Sequence, residues 1–112
     1  MDGIKTKIRI DNEISNGERG IYFDEILSHH VGEKELQEIL KKTRISAWKS
    51  DKKEGQELGT YLFHIFNGSG GKLSETIKKS YDRGEPLHLY FAIPFELDAL
   101  PIELLFDKHF LP

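Results

Sequence analysis

Cysteine is absent from the 112-residue chain, and this absence removes several kinds of chemistry at once. Without a thiol, these residues contain no disulfide, no thiolate metal site and no cysteine nucleophile. The composition is compatible with a reducing compartment, and we expect a cytoplasmic protein. At this length, residues 1–112 are expected to form a single domain or subdomain that is large enough to bury its own core.

Long apolar runs and an excess of one charge are also missing. The N-terminal stretch MDGIKTKIRIDNE lacks the apolar segment of a signal peptide, and acids interrupt the apolar C-terminal stretch well short of the ~20 residues that cross a bilayer. Lys and Arg number 16 against 19 Asp and Glu, and neither sign is concentrated in one half. A sequence-independent nucleic-acid binder needs a concentrated basic surface. We therefore expect neither a membrane nor a nucleic acid as partner.

The first part of the chain has strand periodicity. Residues 4–10, IKTKIRI, place isoleucine and threonine on one side and lysine and arginine on the other, which predicts a half-buried strand. The polar stretch NGERG at 16–20 is expected to turn the chain. The stretch IYFDEIL at 21–27 is rich in β-formers, so we predict that it pairs with the first strand as an antiparallel hairpin. A short helix over the same residues is the alternative.

Helical periodicity begins at residue 33. Residues 33–43, EKELQEILKKT, carry leucine and isoleucine on one face, with acids early and lysines late, as the helix dipole favours. The next stretch, ISAWKSDKKEG at 45–55, predicts a loop that Trp48 anchors to the body of the protein.

Two further helices are predicted. Residues 58–66 carry apolar side chains at i, i+3, i+4, i+7 and i+8, and the glycine-rich stretch NGSGG at 67–71 is expected to end this helix. The third helix is indicated by Leu73, Ile77 and Tyr81, and it is closed by Gly84 and Pro86.

An uncharged segment, LHLYFAI at 87–93, follows the third helix. Apolar residues on both sides predict a strand that is covered on both faces, at the centre of the sheet. Pro94 cannot donate to a strand ladder, so the strand is expected to finish there. The predicted fold is a mixed α/β domain. It has an N-terminal β-hairpin, a buried central strand at about 87–93 and about three helices packed on a small sheet.

The glycine-rich stretch GSGGK at 68–72 invites comparison with a phosphate-binding loop. That motif requires glycine where Phe66 stands and serine or threonine where Leu73 stands, and it follows a strand. We therefore predict a flexible connector between helices.

Histidines and acids also suggest chemistry. His29 and His30 are adjacent and point apart in either secondary structure, so a surface or turn role is expected. His64 and His88 are expected to be hydrogen-bonded packing residues. The acids of the C-terminal stretch, which are expected to keep it soluble, are Glu96, Asp98, Glu103 and Asp107. We predict no catalytic residue, cofactor site or metal site within the chain.

Residues 87–111, LHLYFAIPFELDALPIELLFDKHFL, resemble part of the CHAT-domain proteins, caspase-like cysteine peptidases often joined to repeat domains. In that family a strand leads to a Leu-x-x-Leu-Pro-Trp-Glu-Leu-Leu signature. The stretch GQELGTYLFHIFNG at 55–68, with Leu58 and Gly59, resembles the preceding helix of the family. The signature positions here are Leu97, Leu100, Pro101, Ile102, Glu103, Leu104 and Leu105, with Ile102 in place of the tryptophan.

Local physics also explains part of the signature. Leu100 is driven extended by the following proline, and Pro101 suits the first position of a helical turn. Glu103 then lies in the first turn, where a carboxylate favours the exposed N–H groups. Leu104 and Leu105 would dock that turn on the core.

The resemblance implies the non-catalytic N-terminal scaffold part of a CHAT-type peptidase, from a prokaryotic defence or regulated-proteolysis system. In the family, a His-Gly histidine and a cysteine follow the signature, and neither motif occurs here, so the chain alone is expected to hydrolyse nothing. The apolar end, with Phe106, Phe110 and Leu111, is expected to meet the remainder of the parent polypeptide or a protein partner.

Two other functions remain open at this point. The first is a stand-alone interaction module that docks a partner, or a second copy of itself, through the apolar C-terminal segment. The second is a small enzyme that uses His29, His30 or the C-terminal acids.

Overall fold

The computed structural model describes residues 3–46 and 52–100, with side chains described for residues 3–42 and 57–100. The elements in chain order are β1 (Ile4–Ile10), β2 (Glu18–Phe23), β3 (Ile26–Gly32), α1 (Glu33–Ser46), α2 (Lys52–Asn67), α3 (Lys72–Arg83), β4 (Leu87–Ala92) and a 3-10 helix (Phe95–Leu97).

The strands form one mixed sheet in the order β3-β2-β1-β4. β1 pairs antiparallel with β2, and β2 pairs antiparallel with β3, whereas β4 is parallel to β1. A parallel pair requires a long connection, which here contains all three helices. The predicted mixed α/β fold, with its N-terminal hairpin and three helices, is confirmed.

Tight turns join the first three strands. Asn16 and Gly17 have φ values of 53° and 76°, and Asp24 and Glu25 have φ values of 52° and 67°. Positive φ at both central residues is typical of a two-residue type I′ hairpin turn. The predicted single strand at 21–27 is therefore wrong, because the chain reverses at residues 24–25 and continues as β3.

The predicted helices are present, with different ends. α1 extends to Ser46 and α2 begins at Lys52, so the predicted loop at 45–55 is helical at both of its described ends. Trp48 lies outside the described residues. α3 ends at Arg83, and the following Gly84 has a left-handed φ of 61°, as predicted for a glycine helix stop. The glycine-rich stretch before α3 connects two helices, as predicted. No helix among the described residues is both long and apolar enough to span a membrane.

The helices pack on one face of the sheet. Alternate residues of β1 and β2 point into this core, and the helices contribute the opposing apolar side chains. The most deeply buried core residues include Ile8, Ile10, Ile21, Leu36, Ile39, Leu62, Phe66, Leu73 and Leu97. Tyr81 does not join this core, because 87% of its surface is exposed.

β4 differs most from its prediction. It lies at an edge of the described sheet rather than at its centre. Leu89 and Phe91 are partly buried against the core, whereas His88 and Tyr90 on the other face are exposed. An uncharged run was interpreted as a strand covered on both sides, but one covered face is enough to explain its apolar residues.

Candidate docking edge

Residues 87–97 comprise β4 and the 3-10 helix after it, and they end at Leu97, the first residue of the signature. We call them the edge segment. No described strand pairs with the outer side of β4. Tyr90 is 54% exposed and Phe95 is 92% exposed, so the segment presents large aromatic side chains to solvent. It also contains no charged residue before Glu96.

The first signature residues are anchored in the core. Leu97 is fully buried and Leu100 is 4% exposed. Pro94 follows the end of β4 by two residues, and its carbonyl oxygen accepts the N–H of Leu97 at 2.9 Å. The Leu97 carbonyl oxygen in turn accepts the N–H of Leu100 at 3.0 Å. Consecutive short turns thus direct both leucines inward.

Some of the other residues singled out by the resemblance lie within the described structure, and the rest lie outside it. Leu58 and Gly59 are buried on α2, in the same apolar core as Leu97 and Leu100. The structure therefore brings the predicted helix residues and the first signature leucines into one core. The following residues lie outside the described ranges: Pro101, Ile102, Glu103, Leu104, Leu105, Phe106, Phe110 and Leu111.

A buried arginine ties the edge segment to the sheet and to α1. Arg19 on β2 is 2% exposed. Its Nε and Nη2 donate to the Glu33 carboxylate, each with a closest distance of 2.8 Å. Nη1 donates to the carbonyl oxygens of Asp11 and Asn12 and to Oε1 of Glu96, at 3.1, 3.1 and 3.2 Å. One guanidinium therefore links the end of β1, the start of α1 and the 3-10 helix.

Charge within this cluster is well compensated. The hydrogen bond to Glu33 raises the pKa of Arg19, although burial opposes the rise. A hydrogen bond from the Glu96 backbone N–H, together with Arg19, lowers the pKa of the Glu96 carboxyl. Both shifts favour the charged forms of Arg19 and Glu96. Glu96, which is predicted to keep the C-terminal stretch soluble, also links the 3-10 helix to Arg19 of β2.

The adjacent histidines have separate environments, as their spacing predicted. His29 lies on β3 rather than in a turn, and its Nε2 is 2.7 Å from the carbonyl oxygen of Ile65 on α2. Because a carbonyl oxygen only accepts, Nε2 donates this hydrogen bond, and Nδ1 lies 2.9 Å from the Ser28 hydroxyl oxygen. His29 therefore fastens β3 to α2, whereas His30 is exposed.

A cavity of about 200 Å³ lies between α3 and the start of β1. Lysines, threonines and Glu75 line it, so its charge is mixed and defines no single ligand. Among the residues that the structure describes, no group of three or more histidine, aspartate or glutamate side chains is placed to hold a metal ion.

Comparison of the chain with models of protein families, with curated proteins and with solved structures finds no match. The function is therefore inferred from the edge segment and from the residues that anchor it.

Proposed function

We propose that the chain is the non-catalytic N-terminal scaffold part of a CHAT-type caspase-like cysteine peptidase. The observation that carries this proposal is the course of the chain from β4 to Leu100. A strand ends at Ala92, and after Pro94 the chain enters turns whose leucines are buried, in the order that the resemblance implies. The proposed protein works in the cytoplasm, in a prokaryotic defence or regulated-proteolysis system.

A scaffold role is supported by how the edge segment is built. Its inner side pairs with β1, and Arg19 and the buried leucines fix its end. Its outer side has the features of an attachment site, since exposed strand edges without charge readily accept another strand. We propose that the remainder of the parent polypeptide occupies this outer side.

Peptidase assays test the proposal. The 112-residue chain is incubated with a library of fluorogenic peptides, and the polypeptide translated from its complete natural reading frame is assayed in parallel. We expect no turnover by the chain alone, and turnover by the complete polypeptide that falls when Leu97→Ala and Leu100→Ala are combined. Tyr81→Ala, on exposed α3 surface, is the matched control and should leave turnover unchanged. Hydrolysis by the 112-residue chain, or a complete reading frame without a His-Gly and cysteine pair, contradicts the proposal.

A stand-alone interaction module is the second candidate, favoured by the exposure of Tyr90 and Phe95 on one edge. Sedimentation equilibrium of the 112-residue chain separates the two candidates. A well-defined dimer at micromolar concentration that Phe95→Lys converts to monomer favours the module. A monomer, or concentration-dependent association without a defined stoichiometry, favours the scaffold part of a larger protein.

A further inference from the structure

The sheet face that the helices leave uncovered carries basic and aromatic side chains. We call it the open face. β1 contributes Lys5, Lys7 and Arg9, which alternate with its buried residues. In the sheet register, Arg9 lies opposite Tyr22 of β2, and Lys7 lies opposite Tyr90 of β4. Although the chain has a net charge of −3, strand alternation collects these cations on one surface.

One internal carboxylate neutralises part of this surface. Oε1 of Glu25 lies 3.0 Å from Nζ of Lys7, and Oε2 lies 3.1 Å from Nε of Arg9. Lys5 forms no ion pair with any described residue. Glu18 lies at the far end of β2, opposite Gly32, away from these cations.

Arg9 stacks on Tyr22 in this part of the open face. The Arg9 guanidinium carbon lies 4.0 Å from the centre of the Tyr22 ring. A Cβ at Gly20 would approach the same ring to 2.9 Å, so the absent side chain lets the ring lie close to the β2 backbone. The open face thus presents an aromatic ring beside the cations of β1.

Glu25 reaches its partners from a backbone conformation that glycine prefers. The turn at Asn16 and Gly17 uses the residues best suited to a type I′ hairpin, whereas the turn at Asp24 and Glu25 uses charged residues with positive φ. Asp24 offsets part of this strain, since its Oδ1 accepts the Lys7 N–H at 2.9 Å. The turn thus places the Glu25 carboxylate on the open face, beside Lys7 and Arg9.

We infer that the open face binds an acidic, extended segment of a protein partner, whose carboxylate replaces Glu25 on Lys7 and Arg9. Glu25 already shows that these two cations hold one carboxylate through both of its oxygens. The net negative charge of the whole chain opposes a long polyanion such as nucleic acid more than a short acidic segment. This inference does not rest on the proposed function, because the open face and the outer side of β4 are different surfaces.

Fluorescence anisotropy with a labelled decapeptide of alternating glutamate and threonine, blocked at both ends, tests the inference on the full chain at low salt. We expect saturable binding. Glu25→Gln should tighten binding about three- to tenfold, because two exposed ion pairs of ordinary strength no longer compete with the peptide. Glu25→Ala should act in the same direction. Lys7→Ala should weaken binding to Glu25→Gln protein.

The controls separate this site from general charge attraction. Glu18→Gln removes the same charge at the far end of β2 and should change affinity less than twofold. A peptide with glutamine in place of glutamate should not bind. Equal effects of Glu18→Gln and Glu25→Gln, no effect of Glu25→Gln, or no binding of the acidic peptide would each overturn the inference. Tighter binding of a labelled ten-nucleotide oligothymidylate would overturn it in favour of nucleic acid.

Discussion

The two faces of the sheet use the same strands for opposite purposes. On β1, Ile8 is fully buried beneath the helices, while the adjacent Lys7 lies on the open face. Each face also has an arginine paired with glutamate. The Arg19 side chain on the covered face is 2% exposed, whereas the Arg9 side chain on the open face is 28% exposed.

This difference in exposure determines what each ion pair does. Water screens the exposed pair, so breaking it costs little and another carboxylate is able to replace Glu25. The buried arginine has lost its hydration, and losing its partners or the arginine itself leaves other groups unsatisfied. One face is therefore suited to hold the structure and the other to exchange partners.

Removing the buried arginine should have the largest effect. We expect Arg19→Met to lower the free energy of unfolding by about 3–5 kcal/mol, because Glu33 and the carbonyl oxygens of Asp11 and Asn12 lose their donor. Arg9→Met is the matched control on the open face and should change it by about 0.5 kcal/mol or less. Urea unfolding followed by circular dichroism measures both. Equal losses for the two variants would remove the distinction between the faces.

Neighbouring positions on β1 give the second comparison. Ile8→Ala should cost about 2–4 kcal/mol, since it leaves a cavity beneath the helices. Lys7→Ala should cost about 0.5 kcal/mol or less. The same urea titrations measure both losses of stability. A larger loss from Lys7→Ala than from Ile8→Ala would show that the open face is covered.

Acid titration gives the smallest and most selective effect. The pKa of Glu96 lies below its ordinary value of 4.5, so the folded state binds this proton less readily than the unfolded state. Its stabilising contribution is present above about pH 4.5 and is lost as the pH falls through the folded-state pKa. We expect Glu96→Gln to lower the urea midpoint at pH 7, and we expect its difference from the unchanged protein to shrink as the pH falls below 4.5.

Glu25 provides the control for that titration. Hydrogen bonding to Lys7, together with the charge of Arg9, also lowers the pKa of Glu25, so Glu25→Gln should show the same sign of pH dependence. Its effect should disappear in 1 M NaCl, because salt screens exposed pairs. The effect of Glu96→Gln should persist in part, because its partner Arg19 is buried. Identical salt responses would contradict the difference between the faces.

Local patterns predicted most elements of this fold. Alternation identified β1, and apolar spacing identified each of the helices, because both signals depend on which residues must face a core. β3 was missed for two reasons. Asp-Glu is not a usual hairpin signal, and the register shift between Ile21 and Tyr22 interrupts the alternation along the β2–β3 pair.

The site was less predictable than the fold. Leu97 and Leu100 were identified by resemblance, and both are buried. Arg19 was missed, although a signal was present, since it stands in phase with the core residues Ile21 and Phe23 on β2. An arginine at an inward-facing position of a strand either lies at the end of the strand or is buried together with hydrogen-bond partners. Its partners come from residues as distant as Glu96, and no local pattern contains them.

The sequence by itself determined the alternation of β1, the apolar helix faces and the glycine helix stops, because steric and hydrophobic preferences act over a few residues. Tertiary structure alone decided that β4 takes an edge of the described sheet, that Arg19 joins three separate segments, and that lysines and arginine gather on one open face. These depend on sheet order and on which face the helices cover. Both are set by the packing of segments far apart in the chain.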